Sequence, residues 1–262
     1  MPRLLLVAVC LAAGAARADG PARDPYPWIA AAYVVKRDGA LLWAGAADRR
    51  LPPASLAKMM TALLALERGG LDEPVTIGTG VLQETGTRIG LKPGERLRAR
   101  DLLAATVVRS ANDACRSLAE FVDGNDFVSR MNARAAALGM TNTRFADPCG
   151  HDGVAQYASA ADLALLAEQV MKHGEYLRLA RLQKVSFRTL GGRAFNLRNT
   201  NALIGRYEGA IGLKTGHTAG AGNGLAALAE RDGVRVLAVL LNAPNRWWNA
   251  VGLLDRAFAA PR

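Results

Sequence analysis

Strand-patterned segments occupy both ends of this 262-residue chain, and helix-patterned segments fill its middle. Short apolar runs at 31–36 and 41–44 flank Arg37-Asp38-Gly39, a hairpin signal. After about residue 184 strands return, at 184–190, 210–214, 224–229 and 234–241, the last two joined by a second turn, Arg231-Asp232-Gly233. Between these ends, 101–108, 113–122 and 126–138 carry apolar faces at helical spacing, and Ser159-Ala160-Ala161-Asp162 has the form of a capping box. Residues 55–66 are apolar almost all round, which predicts a central core helix. Residues 245–258 read as a closing helix. Its stripe of Trp247, Val251, Leu254 and Phe258 suits packing on a sheet better than membrane contact. That order predicts an α+β fold, with one antiparallel sheet built from both chain ends, flanking helices and an inserted helical lobe. The sheet lobe is expected over about 25–78 and 180–262 and the helical lobe over about 79–179, with the site in the cleft between them.

Three short segments carry the chemistry. Ser55-Leu56-Ala57-Lys58 sets a hydroxyl and an amine three residues apart, one above the other on a helix. An amine there that has lost its proton could take the hydroxyl proton and make Ser55 a nucleophile. Ser110-Ala111-Asn112 adds a hydroxyl and an amide, and Lys214-Thr215-Gly216 a cation, a hydroxyl and a glycine. Alone, a Ser-x-x-Lys also describes a helix cap followed by a solvated lysine; three segments in this order describe a site for acyl transfer. Composition agrees. Only six of the 33 basic residues are lysines, and two of the six lie in these motifs. Lysine sheds its proton when buried or crowded by another cation, and arginine does not.

These motifs, with Gly150-His151-Asp152-Gly153, Tyr157-Ala158-Ser159 and Asn199-Thr200-Asn201, resemble those of the low-molecular-mass penicillin-binding proteins. Within that family the nearest group is the serine D-alanyl-D-alanine carboxypeptidases of bacterial cell-wall metabolism. The resemblance runs from about residue 26 to 258. It implies the penicillin-binding transpeptidase fold, shared with β-lactamases, peptidoglycan stem peptides as substrates and β-lactam antibiotics as covalent inhibitors. It implies no metal or organic cofactor. Residue by residue it makes Ser55 the nucleophile, Lys58 the general base and Ser110 a proton relay to the departing amine. Asn112, Lys214, Thr215 and Gly216 become the substrate-binding set, joined by His217, whose backbone N–H with that of Ser55 forms an oxyanion hole. Lys214 is expected to hold Lys58 neutral as a neighbouring like charge.

The chain departs from the family pattern in two places. Some carboxypeptidases carry an arginine between two asparagines ahead of the third motif, where it binds the terminal carboxylate; here that residue is Thr200, with Arg198 two places earlier. This keeps a D,D-endopeptidase open as the alternative enzyme, beside a penicillin-sensing or peptidoglycan-binding module. The best-known members also continue into a second β-rich domain and an amphipathic anchor, whereas this chain stops at Arg262, so a soluble periplasmic enzyme is expected. No Glu-x-x-Leu-Asn segment supports a class A β-lactamase, and no Gly-x-Ser-x-Gly a Ser-His-Asp hydrolase.

The N-terminus fits export. Arg3, an apolar stretch over 4–14 and Ala16-Arg17-Ala18 read as a signal peptide cleaved after residue 18, leaving residues 19–262 as a single catalytic domain; the apolar stretch is too short to span a membrane. The net charge of +10 does not signal nucleic-acid binding, because the arginines are scattered. It suits weak attraction to an anionic cell envelope. With Cys10 in the leader, Cys115 and Cys149 remain, either as a disulfide bracing one rim of the cleft or as two separate buried thiols.

Overall fold

The computed structural model describes residues 25–261 and builds an α+β molecule around one five-stranded antiparallel sheet; the leader expected at 1–18 lies outside the described residues. The strands are β1 (Ala32–Arg37), β2 (Ala40–Gly45), β7 (Ala210–Thr218), β8 (Gly222–Arg231) and β9 (Val234–Leu241), in the order β2-β1-β9-β8-β7. Val34 sits opposite Val239 where the two chain ends meet. Both Asp-Gly turns take the left-handed backbone that a two-residue hairpin needs, with φ of +49° and +85° at Asp38 and Gly39 and of +49° and +76° at Asp232 and Gly233.

Successive strand residues face opposite sides, and here both sides are dry. Val34, Leu228, Leu237 and Val239 face the main core, while Val35, Ala227, Ala238 and Leu240 face α7 (Arg246–Ala259). Burial on both faces is why β8 and β9 read as nearly unbroken apolar runs. On α7, Leu254 is fully buried, with Trp247, Val251 and Phe258 packed around the same cluster, so the stripe belongs to the sheet.

The main core is centred on α1 (Lys58–Arg68), buried from Lys58 to Ala65, with α3 (Asn112–Asp123) and α5 (Ala160–Val170) against it. The Ser159 hydroxyl caps α5 by accepting from the Asp162 N–H at 3.1 Å. Although α5 and α6 (Gly174–Ala180) fall within the stretch expected to form the helical lobe, α5 packs on β1 and β9 and α6 on β7. α4 (Phe127–Ala137) completes the long helices of the middle.

Several local expectations need correction. The helix expected over 55–66 opens with a 3₁₀ turn, Ala54–Ala57, so α1 proper begins at Lys58. The helix expected over 101–108 divides into α2 (Ala99–Ala104) and a π-helical turn, Ala105–Arg109. β7 runs four residues past its expected end at residue 214, because Gly216 and His217 keep pairing with Gly224 and Asn223. Two small two-stranded sheets pair β3 (Pro74–Thr76) with β4 (Arg96–Arg98), and β5 (Lys184–Arg188) with β6 (Ala194–Arg198). β3 and β4, three residues each, are too short to show a period of two; β6 does alternate, with Phe195 and Leu197 buried and Asn196 and Arg198 exposed, but over five residues only.

Candidate active site

Ser55 owes its position to a tight turn. Ala54 before it has φ +47°, and in the 3₁₀ geometry residues three apart eclipse, which lays Lys58 over Ser55. Lys58 Nζ lies 3.0 Å from Ser55 Oγ and donates to Asn112 Oδ1 at 2.6 Å and to the Cys149 carbonyl. The amine is 1% exposed. Burial drives its pKa down to about 7, against the pull of the Asp147 and Glu84 carboxylates.

Ser110 follows the π-helical turn and has φ +61°, a conformation uncommon for a residue with a Cβ and a frequent companion of functional sites. Its Oγ accepts from Lys214 Nζ at 2.7 Å, and the same amine donates to the Thr215 carbonyl at 2.9 Å. Burial, then the charges of Lys58 and Arg246, hold Lys214 well below the ordinary lysine range. The like-charge effect expected at Lys58 is therefore felt at Lys214, whereas Lys58 is brought down by desolvation.

β7 runs against the turn that carries Ser55. A Cβ on Gly216 would stand 3.2 Å from the Pro53 carbonyl and 3.3 Å from the Ser55 nitrogen. On the other side of the turn, a Cβ on Gly150 (φ +86°) would fall 2.0 Å from the Ala54 carbonyl oxygen. Only glycine fits there. Ser55, Asn112, Gly150, His151 and His217 line one open cleft of about 760 Å³, and the His217 imidazole is exposed in it. Of the eight residues singled out in the sequence, Ser55, Lys58 and Asn112 form one hydrogen-bonded group and Ser110, Lys214 and Thr215 a second, with Gly216 and His217 along the strand between cleft and turn.

Thr200 and Arg198 part company. Thr200 Oγ1 and Thr215 Oγ1 share a hydrogen bond of 2.7 Å, while Arg198 is exposed at the end of β6. Asn199 and Asn201 shape that loop, Asn199 donating to the Ala180 and Leu182 carbonyls and Asn201 accepting from the Leu203 N–H. Sequence reasoning missed Arg246, which donates to the Gly216 carbonyl at 2.6 Å from the first turn of α7. It missed Glu84 as well: 2% exposed, it accepts from Arg116 Nε at 2.8 Å and lies 2.7 Å from His151 Nε2. Nothing in the sequence marked either. The choice left open for the cysteines resolves as a Cys115–Cys149 disulfide with a Cα–Cα distance of 5.8 Å.

The family profile described as D-alanyl-D-alanine carboxypeptidase matches residues 27–245. The chain is 34% identical over 239 residues to D-alanyl-D-alanine carboxypeptidase DacF of Bacillus subtilis, covering 87% of this chain and 61% of that one. With D-alanyl-D-alanine carboxypeptidase DacB2 of Mycobacterium tuberculosis it shares 33% identity over 252 residues, 92% of this chain and 84% of the relative. Among solved structures, ampicillin-bound penicillin-binding protein D2 of Listeria monocytogenes superimposes with a TM-score of 0.78 at 33% identity, covering 87% of this chain and 97% of that one. The chain thus spans about three fifths of the Bacillus relative and nearly all of the Listeria structure.

Proposed function

The chain belongs to the D-alanyl-D-alanine carboxypeptidase family, and on that premise we propose that it is a serine D-alanyl-D-alanine carboxypeptidase, removing the terminal D-alanine of peptidoglycan stem pentapeptides through an acyl-enzyme on Ser55. One observation carries the reading: a lysine amine that burial brings to about 7 lies 3.0 Å from the hydroxyl of the motif serine. At neutral pH a good share of Lys58 is then free to accept a proton, as a general base must.

In this reading Lys58 takes the Ser55 proton as Oγ attacks the carbonyl between the two D-alanines. The backbone N–H groups of Ser55 and His217 receive the developing oxyanion, a contribution of about 3 kcal/mol per donor. Ser110, tied to Lys214, passes a proton to the leaving amine of D-alanine. Asn112 holds the peptide amide, and Thr215 and Gly216 align the substrate along β7. The free carboxylate lies towards Thr215, in the positive field of Arg246. Water then attacks the acyl-enzyme and releases the shortened peptide. A penicillin, as a cyclic acyl donor, acylates the same serine; the ampicillin-bound Listeria neighbour supports this.

Export through the 1–18 leader and a periplasmic location complete the proposal. A disulfide suits an oxidising compartment, and no helix among the described residues is long and apolar enough to cross a membrane. The sheet and helical lobes enclose the site as one catalytic domain. Thr200 favours a second reading, D,D-endopeptidase, because its hydroxyl engages Thr215 where some relatives present an arginine to a free carboxylate. One assay tests both: the mature protein is given a pentapeptide muropeptide and a crosslinked dimer. D-alanine released from the pentapeptide and lost in Ser55→Ala is the expected result. Monomers from the dimer with little D-alanine would replace carboxypeptidase by endopeptidase.

A further inference from the structure

Lys58 is steered by two oxygens that belong to separate segments, the side chain of Asn112 on α3 and the carbonyl of Cys149 in the 147–152 loop. Both segments meet a third. The loop after the 3₁₀ turn Thr79–Gln83 accepts from the Asn112 side-chain amide through the Thr85 carbonyl at 2.6 Å, and from the Asn112 backbone N–H through the Thr87 carbonyl at 2.7 Å. Glu84, beside Thr85, reaches both other segments. One carboxylate oxygen accepts from Arg116, one helical turn beyond Asn112, and the other meets His151, two residues beyond Cys149. The 147–152 loop is also folded over the Asp147 carboxylate, which accepts from the backbone N–H groups of Cys149 and Gly150 at 2.7 Å each and His151 at 3.1 Å. Arg116 reaches that carboxylate at 3.7 Å.

We infer that Glu84 is a positioning residue for the reaction, clamping α3 to the 147–152 loop so that Asn112 and the Cys149 carbonyl hold the Lys58 amine over Ser55. A carboxylate this deeply buried is costly unless its hydrogen bonds are filled. Both oxygens are filled, one by the Arg116 guanidinium and the other by the His151 ring, from the two segments that present the lysine's acceptors. The groups facing Glu84 are Arg116 and Glu120 from α3, His151 from the loop and Lys58 from α1, and Asp147 acts on Lys58 from the same loop. Glu84 is held in its charged form even though burial opposes it, because His151 and Arg116 donate to it. That hydrogen bond likewise raises the His151 pKa. Glu84 and His151 therefore press on Lys58 with opposite charge. The carboxylate favours the protonated amine and the imidazolium disfavours it.

The inference rests on Ser55 being acylated with Lys58 as base, and the test separates the two. The acylation rate constant of the mature protein with a fluorescent penicillin is followed from pH 5.5 to 9 in wild type, Glu84→Gln and His151→Gln, with thermal melts alongside. Wild type should label with an acid limb near pH 7 set by Lys58. In Glu84→Gln the plateau should fall by about ten- to a hundredfold, the scale of a misplaced reacting group, and the acid limb should move to lower pH. In His151→Gln the acid limb should move the other way, with a smaller loss of plateau, because Arg116 still holds Glu84. Limbs that stay at the wild-type pH in both variants, or a Glu84→Gln plateau equal to wild type, would overturn the inference and leave the Ser55 reading intact. If Glu84→Gln fails to fold, the half-exposed His151 site decides through the direction of its limb. No labelling of wild type would instead remove the reading on which the clamp depends.

Discussion

The two walls of the cleft are built on opposite principles. On one side β7 presents Lys214, Thr215 and Gly216 from regularly paired strand backbone, each with a cross-strand neighbour on β8. On the other, Ser55, Ser110 and Gly150 sit in irregular backbone, at or next to left-handed φ, held by buried hydrogen bonds, the Glu84 ion pairs and a disulfide. Paired strand backbone holds these residues without any left-handed φ. Bringing Ser55 and Lys58 of one turn together with Ser110 of a separate segment takes backbone strain and filled buried polar groups.

The sharpest break in this comparison is on the irregular wall. Lys58→Arg keeps the charge but cannot give up a proton, so penicillin acylation should fall by about a thousandfold, measured by rapid labelling. Lys58→Met probes the same residue through stability. The folded-state pKa near 7 lies below that of the unfolded chain, so the unfolded chain binds more protons between pH 7 and 10. Wild-type stability should therefore rise with pH across that window. The melting temperature of Lys58→Met relative to wild type should be highest near pH 7 and decline towards pH 10. A gap that stays constant would mean that the folded lysine keeps an ordinary pKa.

Gly150→Ala should destabilise by about 3 kcal/mol, because its Cβ meets backbone at 2.0 Å at a positive φ. Urea unfolding with a labelling assay measures both consequences. Removing the disulfide with the double variant Cys115→Ser, Cys149→Ser should lower stability by about 2–3 kcal/mol, with a visible loss of acylation because Cys149 carries a Lys58 acceptor. On the regular wall the smallest effect is expected. Gly216→Ala meets its nearest neighbours at 3.2 Å without a positive φ and should cost about 1 kcal/mol. If Gly216→Ala proved worse than Gly150→Ala, the contrast between the walls would be wrong.

The same division governs what could be read from the residues alone. β1, β8 and β9 were legible because apolar residues fill both of their faces, and the two hairpins because Asp-Gly supplies their turns. Ser55 and Lys58 were legible because i and i+3 meet in either kind of helix. The π-helical turn before Ser110 was not, since Ala105-Thr106-Val107-Val108 continues a helical pattern and only the cleft interrupts it. Glu84 pairs with residues 32 and 67 positions away, a relation no local pattern encodes. Arg246 looked like one arginine among many. The source of the low Lys58 pKa also escaped local reasoning. It comes from how completely the core encloses the amine, which is a property of the whole packing.

The pairing of Val34 with Val239 has a consequence for how the molecule comes into being. β1 is among the first described segments to be synthesised, yet it borders β9, some two hundred residues later, and of its two pairings only that with β2 can form early. The sheet cannot close until almost the whole chain has emerged, and closing so large a loop slows folding. A chain wired in this way stays open until its last strands are made, and gains its cleft only then.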